Sequence, residues 1–418
     1  MSNASRSYDV IVLGATGFTG KLTAKHIASH LPTDLRWAVS GRSGPKLSSL
    51  VDELKKLNPD RTQPEIEVAN LTPEDLNSLV KKAKVLINTV GPYHLYSSPV
   101  VEACANNGTH YLDVTGEWPW TKEMIQRYHA LAKSTGAIMI SQIGVESAPS
   151  DLITYALASL IRKTCNSPTG EVIATVHEMK ANPSGGSLAT VLTVSDSFSG
   201  AEIANASSGD WSSSPVPHPN RTPSTPFSSI RRMLYNVRMS PELGVLTTGF
   251  AGGVNRAIVQ RTWGLLDEGK YYGPNFIYHE YSTVRNRLVG ALVHLAITLG
   301  MVALAFPPFR WVMRKLVLAP GQGPNEEAAK HELFDFRAVA VADQDASKPR
   351  KALGCLRHEG GIYELTGMFL AEAAMVLLEH ESLVKNLGGG YLTPAMLGRP
   401  FIDRLTDAGL YIHTEMLP

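Results

Sequence analysis

The sequence predicts an α/β fold in two packed domains, the first built on a parallel sheet wound in both directions from its middle. Three observations predict it. From Asp9 to Ser141 short apolar runs alternate with amphipathic stretches, the pattern of strands and crossover helices around a parallel sheet. Gly14, Gly17 and Gly20 cluster where the first apolar run gives way to the first amphipathic stretch. The chain has 418 residues, more than one hydrophobic core usually serves.

The elements follow in order. Strands are expected at VIVL (10–13), LRWAVS (35–40), IEVA (66–69), VLINTV (85–90), HYLDV (110–114) and AIMIS (137–141). Between the first two, Phe18, Leu22, Ile27 and Leu31 recur at roughly helical spacing, and Pro32 stops the helix. Thr72-Pro73-Glu74-Asp75 places a capping residue, a proline and two acids at another helix start. The first domain is read as 1–150, ending near Ser147-Ala-Pro-Ser-Asp151, and the second as 151–365. Strand-like runs return at 171–179 and 334–343, and a helix is expected from Thr366 to Leu378 in the closing region 366–418. Ser207 to Ser229 is dense in serine and proline and reads as a long loop or lid. No internal repeat is found.

Composition excludes several function classes. Apolar residues make up 44% and charged residues 18%, the balance of a folded protein with a large core. A formal net charge of +1 gathers no polyanions, so no nucleic-acid partner is expected. The three cysteines, Cys104, Cys165 and Cys355, show no CxxC spacing. That argues against a disulfide framework or a thiolate zinc site and for a reducing, intracellular compartment. The polar opening MSNASRSYDV reads as a frayed tail leading into a strand, with no secretory signal expected.

The segment 288–315 departs from this pattern. From Leu288 to Pro308 there is no formal charge, with Arg285 and Arg287 before it and Arg310, Arg314 and Lys315 after. The length could cross a hydrocarbon core, but a single crossing would divide one catalytic body between two compartments. A monotopic anchor, or a hairpin turning at Pro307-Pro308, fits better, its cations facing anionic headgroups. The expected location is the cytoplasmic face of a membrane or a lipid droplet, with a soluble cytosolic protein as the alternative. In that alternative the segment is a buried helix or a homodimer interface.

The chemistry concentrates at strand ends. In Gly14-Ala15-Thr16-Gly17-Phe18-Thr19-Gly20 a buried strand runs into a glycine-rich turn and then a helix. Backbone N–H groups at the positive end of that helix suit a dinucleotide diphosphate. Where NAD-selective folds carry an acid for the ribose 2′-hydroxyl, this chain has Arg42 and Ser43, donors for a 2′-phosphate, so NADP(H) is favoured over NAD(H). Asn88, Thr89, Gly91, Pro92 and Tyr93 end the fourth strand beside the place where the sheet reverses direction. Gly91 would admit the cofactor there, and Tyr93 is a candidate proton donor or a packing residue. Asp113 and Glu117 bring two acids to the same crevice, to meet substrate or to cap the next helix. Ser184 and Ser187, in Ser-Gly-Gly-Ser, read as a helix start or an anion nest and as substrate candidates.

Rival chemistries lack their residues. No tyrosine has a lysine four residues on, no His-Glu pair extends to HExxH, and neither a GxSxG elbow nor a Walker lysine is present. No metal site is expected, and hydride transfer from a nicotinamide requires none.

In this order GATGFTG, SGRS, NTVGPY, YLDVTGE, ESAPSDL, SGGSLAT, PGQGP and GGGYLTPAMLG resemble the saccharopine dehydrogenase-like oxidoreductases. That group includes trans-acting enoyl reductases of lipid and polyketide pathways. The resemblance spans nearly the whole chain. It implies an N-terminal Rossmann domain, an inserted α/β second domain, C-terminal helices that return to the first, and association with lipid surfaces. It implies an NADPH-dependent reductase of an activated double bond, most simply an enoyl C=C. Reduction of C=N, as for saccharopine, or a non-catalytic lipid-surface protein on a cofactor scaffold are the alternatives. Asn70 and Glu146 stand where relatives often carry aspartate.

Overall fold

The computed structural model describes residues 6–181, 185–206, 211–220, 235–316, 323, 326–345 and 347–418, with the backbone alone for 185–188, Ala204, Leu316 and Glu326. Apolar runs with β-branched residues form β1 (Tyr8–Leu13), β2 (Trp37–Gly41), β3 (Glu65–Val68), β4 (Ala83–Asn88), β5 (His110–Asp113) and β6 (Ile138–Ile140). They pair in parallel in the order β6-β5-β4-β1-β2-β3. Helices α1 (Phe18–His30), α2 (Gly44–Leu57), α3 (Pro73–Lys82), α4 (Tyr93–Tyr96), α5 (Ser98–Asn107) and α6 (Trp118–Thr135) connect them. The strand order reverses between β1 and β4, which is where a doubly wound sheet opens a crevice at its carboxyl edge. Thr72 caps α3 as expected, its side chain accepting from Asp75 N.

Helix α7 (Ala148–Cys165) leaves the first sheet and packs beneath a second one, ordered β14-β12-β11-β7-β10-β9-β8. Its strands are β7 (Thr169–Lys180), β8 (Val237–Ser240), β9 (Gly244–Thr248), β10 (Ile277–Val284), β11 (Leu333–Ala342), β12 (Lys351–Glu359) and β14 (Tyr411–Met416). Only β7 and β10 pair in parallel. The helix Ile362–Glu379 then returns to the first domain and crosses α1 closely. A Cβ at Gly367 would lie 2.9 Å from Thr23 N, so only glycine fits the crossing, and the His26–Glu372 pair at 2.9 Å closes it.

Two expectations are corrected. Helix α1 buries Gly20, Thr23, Ala24, His26, Ile27 and Ala28, while Phe18 and Leu22 remain half-buried. The returning helix takes the space a bulky face would need, so small residues line the core side. The closing region is not purely helical either. Gly390–Leu392 (β13) adds a parallel edge strand beside β6, and β14 pairs with β12 in the second sheet. The last residues therefore stitch both domains together.

The uncharged segment folds as a hairpin of two helices, Arg287–Leu304 and Pro307–Leu316. In the first only Gly290 and His294 are buried, whereas Leu288 is 71% exposed and Leu292, Leu299 and Trp311 are each 58% exposed. Within this chain the segment is not a core helix. Among the described residues Arg287–Leu304 is long and apolar enough to cross a membrane.

Candidate cofactor and substrate cleft

The glycine turn is held by its own backbone. Gly14 N and Ala15 N both donate to the Ser40 carbonyl, and Gly17 N donates to Gly14 O at 2.9 Å. Thr89 fastens β4 to the same turn, its N and its Oγ1 each 2.9 Å from Leu13 O. The three glycines serve different ends. Gly14 has a φ of +83°, and a Cβ there would stand 2.9 Å from Thr89 Oγ1. A Cβ at Gly20 would stand 2.3 Å from the Gly14 carbonyl. Both are required by the protein's own packing. At Gly17 the φ is −75°, and a Cβ would meet only Gly14 O, at 3.2 Å. What glycine preserves at position 17 is open space above the turn.

That space suits a diphosphate. The amides of Thr16, Phe18, Thr19 and Gly20 have no partner among the described residues, and no side chain caps α1, so the positive helix end faces the opening unsatisfied. A cavity of about 270 Å³ adjoins it, lined by Thr16, Gly17, Phe18, Lys21, Gly361 and Tyr363 among others. Phe18 meets Tyr363 edge to face at 5.2 Å. At the end of β2, Arg42 is exposed and makes no hydrogen bond or ion pair among the described residues. Ser43 precedes α2 without capping it. A dinucleotide fits these residues: bare amides for its phosphates, and a guanidinium beside them.

The remaining candidates are placed differently from expectation. Asn88 is fully buried; its Nδ2 donates to Ser97 Oγ and Tyr111 Oη while Oδ1 accepts from Val90 N. It shapes the turn instead of touching a ligand. Gly91 is exposed at the carboxyl edge and Pro92 half-buried. Tyr93 turns inward: its ring lies 5.9 Å from Trp120 and its hydroxyl is 3.3 Å from the Asn88 carbonyl. Burial raises its pKa well above that of an ordinary phenol. A buried phenol bonded to the backbone under the strand is in no position to deliver a proton, so Tyr93 is a core residue. Glu117 is likewise consumed, accepting from Tyr93 N at 2.8 Å, His94 N at 2.7 Å and His94 Nδ1 at 2.5 Å. Asp113 accepts from Thr115 N, Ser141 Oγ and Gln142 N. These two acids build the loops and do not face substrate. Ser184 and the side chain of Ser187 lie outside the described residues; a helix does begin there, at Gly185–Ser197. In the serine-rich stretch, residues 211–220 pack Trp211 on His218 and Trp263, and the rest lies outside the described residues.

The structure adds groups that the sequence did not single out for chemistry. Gln142 adopts a φ of 67° and its buried Nε2 has no partner. Glu146, after β6, lies against Gly116, whose Cβ would stand 3.3 Å from Glu146 Oε2. Glu280 on β10 accepts from Tyr278 Oη at 2.6 Å, Ser150 Oγ at 2.7 Å and Asn255 Nδ2 at 2.8 Å. A cavity of about 260 Å³ opens beside it, bounded by Thr248, Gly252, Arg256, His279 and Tyr281 among others. No local pattern marks Glu280 as a partner of Glu146, because β10 and the β6–α7 turn meet only when the two sheets dock.

The apolar hairpin is tied to this cleft. Thr248 Oγ1, on the cavity wall, is 2.8 Å from His294 Nδ1, and Thr247 Oγ1 donates to Gly290 O at 2.7 Å. Arg310 and Arg314 both pair with Asp196 on helix Gly185–Ser197. Phe198 then meets the His94 ring edge at 5.9 Å, beside the β4 loop.

Comparison with known proteins agrees with this architecture. Residues 10–140 match the family model described as the saccharopine dehydrogenase NADP binding domain. A Mycobacterium tuberculosis protein provisionally named a trans-acting enoyl reductase is 30% identical over 430 residues, covering 100% of both chains. A trans-acting enoyl reductase of Mycobacterium ulcerans is 29% identical over 438 residues, again covering 100% of both. Among solved structures, apo saccharopine dehydrogenase (L-Glu forming) from Saccharomyces cerevisiae superposes with a TM-score of 0.56. It is 12% identical over 98% of this chain and 100% of that one, a likeness of fold. The dinucleotide-binding turn, the second mixed sheet and the full-length match to these relatives lead to one assignment: the chain belongs to the saccharopine dehydrogenase-like oxidoreductases, with the trans-acting enoyl reductases.

Proposed function

We propose that this oxidoreductase uses NADPH to reduce an activated C=C bond, the enoyl group of a lipid or polyketide intermediate, while seated on the cytoplasmic face of a membrane or a lipid droplet. The observation that carries the reading is the physical link between the exposed apolar hairpin and the cleft. Thr248, which holds the hairpin through His294, is itself on the wall of the cavity beside Glu280, and Phe198, two residues beyond Asp196, contacts His94 after β4. Leu288, Leu292 and Leu299 offer an exposed apolar surface to an acyl chain. Of the cations at the hairpin ends, Arg285, Arg287 and Lys315 complement anionic headgroups, while Arg310 and Arg314 are paired with Asp196. The relatives named as enoyl reductases support C=C over C=N as the bond reduced.

Arg42 supports NADPH over NADH, since a guanidinium favours a 2′-phosphate. The bound dinucleotide would supply hydride. The chain's own part is to hold it through the 16–20 amides and Arg42, and to exclude water from the crevice. The test is a spectrophotometric screen of the full chain with NADPH and NADH against enoyl thioesters of increasing chain length and a cyclic imine. Oxidation of NADPH by enoyl thioesters, faster with longer acyl chains and with liposomes present, is expected. Activity restricted to the imine, or a preference for NADH, overturns the reading. No oxidation with any acceptor leaves a cofactor-fold scaffold as the function.

A further inference from the structure

Glu146 differs from the buried acids Asp113, Glu117 and Asp151 and from the half-buried Glu280. Asp113, Glu117, Asp151 and Glu280 each accept at least two hydrogen bonds. The Glu146 carboxyl accepts none among the described residues. Among the described residues its one hydrogen bond is through its backbone carbonyl, from Asn255 Nδ2 at 2.9 Å, which fixes the turn and leaves the carboxyl unpartnered. The residue is exposed to solvent and close enough to Glu280, on the wall of the cavity of about 260 Å³, for the two charges to interact. It lies over Gly116, the third residue beyond β5, at the same carboxyl edge as the exposed Gly91 after β4. Glycine at 116 leaves room for that carboxyl.

We propose that Glu146 is the acid that protonates the substrate during reduction, an assignment that rests on the reductase reading above. For an enoyl thioester, hydride supplied by the dinucleotide forms a C–H bond at the β-carbon, and the electron pair of the C=C moves to the α-carbon. The α-carbon takes its proton from the Glu146 carboxyl. The carboxylate left behind regains a proton from water in the cleft.

Such a residue is helped by a raised pKa, and its surroundings push in that direction. Burial and then the charge of Glu280 raise its pKa. Burial raises that of Glu280 too, but the hydroxyls of Tyr278 and Ser150 and the amide of Asn255 all stabilise the Glu280 carboxylate. Of two carboxyls that repel each other, the three donors bias Glu280 toward the carboxylate, and their lack biases Glu146 toward the acid. Glu280, on β10, is the ionisable neighbour whose charge acts on Glu146. Gly116 from the β5 loop, Asn255 from the helix Gly252–Leu265 and Ser147 from the start of α7 are neutral.

The experiment has two arms on the full chain. In the first, carboxyl-carbon NMR of the cofactor-free protein, with Glu146→Gln to assign the signal, follows its ionisation. The expected result is a midpoint above the free-glutamate value of about 4.3, lowered in Glu280→Gln. A midpoint at or below the ordinary value overturns the proposal. In the second, NADPH oxidation by crotonyl-pantetheine is compared between wild type and Glu146→Gln. The expected loss in kcat is about a hundredfold to ten-thousandfold, with NADPH affinity and thermal stability unchanged and partial recovery in Glu146→Asp. Wild-type kcat should also fall as pH rises through the NMR midpoint, a limb absent in Glu146→Gln. An active wild type with an equally active Glu146→Gln overturns the proton donor alone. A wild type that reduces no enoyl thioester overturns the enoyl reading, and the NMR arm still decides the state of Glu146.

Discussion

Replacing Gly17 by alanine separates ligand binding from folding, because the protein itself barely needs glycine there. The backbone at φ −75° and ψ 168° is open to any residue. The added Cβ meets one atom, Gly14 O at 3.2 Å, which must give by a few tenths of an ångström. Alanine is a poorer N-cap than glycine by up to about 1 kcal/mol, so in a chain of this length the melting temperature should fall by about 2 °C or less. A bound diphosphate fares worse. The Cβ intrudes on the open space above the turn, where the amides of Thr16, Phe18 and Thr19 have no partner among the described residues, and displacing the phosphate from one of them costs a charge-assisted hydrogen bond, about 1.5–3 kcal/mol. The Kd for NADPH should rise about ten- to hundredfold. Gly20→Ala is the contrast: its Cβ would stand 2.3 Å from a carbonyl oxygen, so the fold should suffer first. Fluorescence titration with NADPH beside thermal melts of wild type, Gly17→Ala and Gly20→Ala reads both quantities. Undiminished NADPH affinity in a folded Gly17→Ala protein would refute the placement of the diphosphate and with it the functional case.

Other outcomes are expected of the same molecule. Arg42→Glu should weaken NADPH about tenfold or more while sparing NADH, since an exposed guanidinium serves only the 2′-phosphate; parallel titrations check it, and equal loss for both cofactors would be inconsistent. Burial pushes the Asp151 carboxyl up to about 7, above its unfolded value of about 3.9. Its contribution to stability is therefore full below about pH 4 and lost as pH rises through about 7. Wild-type stability should decline across that window more steeply than that of Asp151→Asn in denaturant titrations, and matching slopes would count against it. Glu117→Gln should cost about 2–3 kcal/mol by leaving buried donors at Tyr93 and His94 poorly satisfied, measured by urea unfolding. Leu292→Glu with Leu299→Glu should leave stability within about 1 kcal/mol, as exposed substitutions do, yet abolish sedimentation with anionic liposomes. Retained liposome binding would remove the hairpin from the proposal.

Much of the first domain was legible because its signals are local. The apolar runs at 10–13 and 137–140, the glycine turn, the Thr72 cap and the arginine after β2 each depend on residues close together in the chain. The uncharged run from Leu288 to Pro308 could be seen but not placed, because a buried helix and a lipid-facing one share composition. Only packing showed that little of this chain covers it. Misreadings arose where a side chain's role depends on direction. Tyr93, Asp113 and Glu117 stand at the right strand ends, but the backbone turns their polar atoms inward to hydrogen bonds the sequence does not encode locally. Strands β8, β9, β10, β12, β13 and β14 passed unread; β10, β13 and β14 are completed by partners far away along the chain, whereas β8–β9 and β11–β12 are hairpins in which β8, β9 and β12 carried too weak a pattern.

The sequence by itself determined the parallel sheet, the dinucleotide turn and the family, all of which rest on periodicity and steric rules acting over a few residues. The tertiary structure alone decided that Asp113, Glu117 and Asp151 are spent on the fold and that the Glu146 carboxyl is left without a hydrogen-bond partner among the described residues. That choice depends on Gly116, Asn255 and Glu280, brought from distant parts of the chain, and on the desolvation their meeting creates.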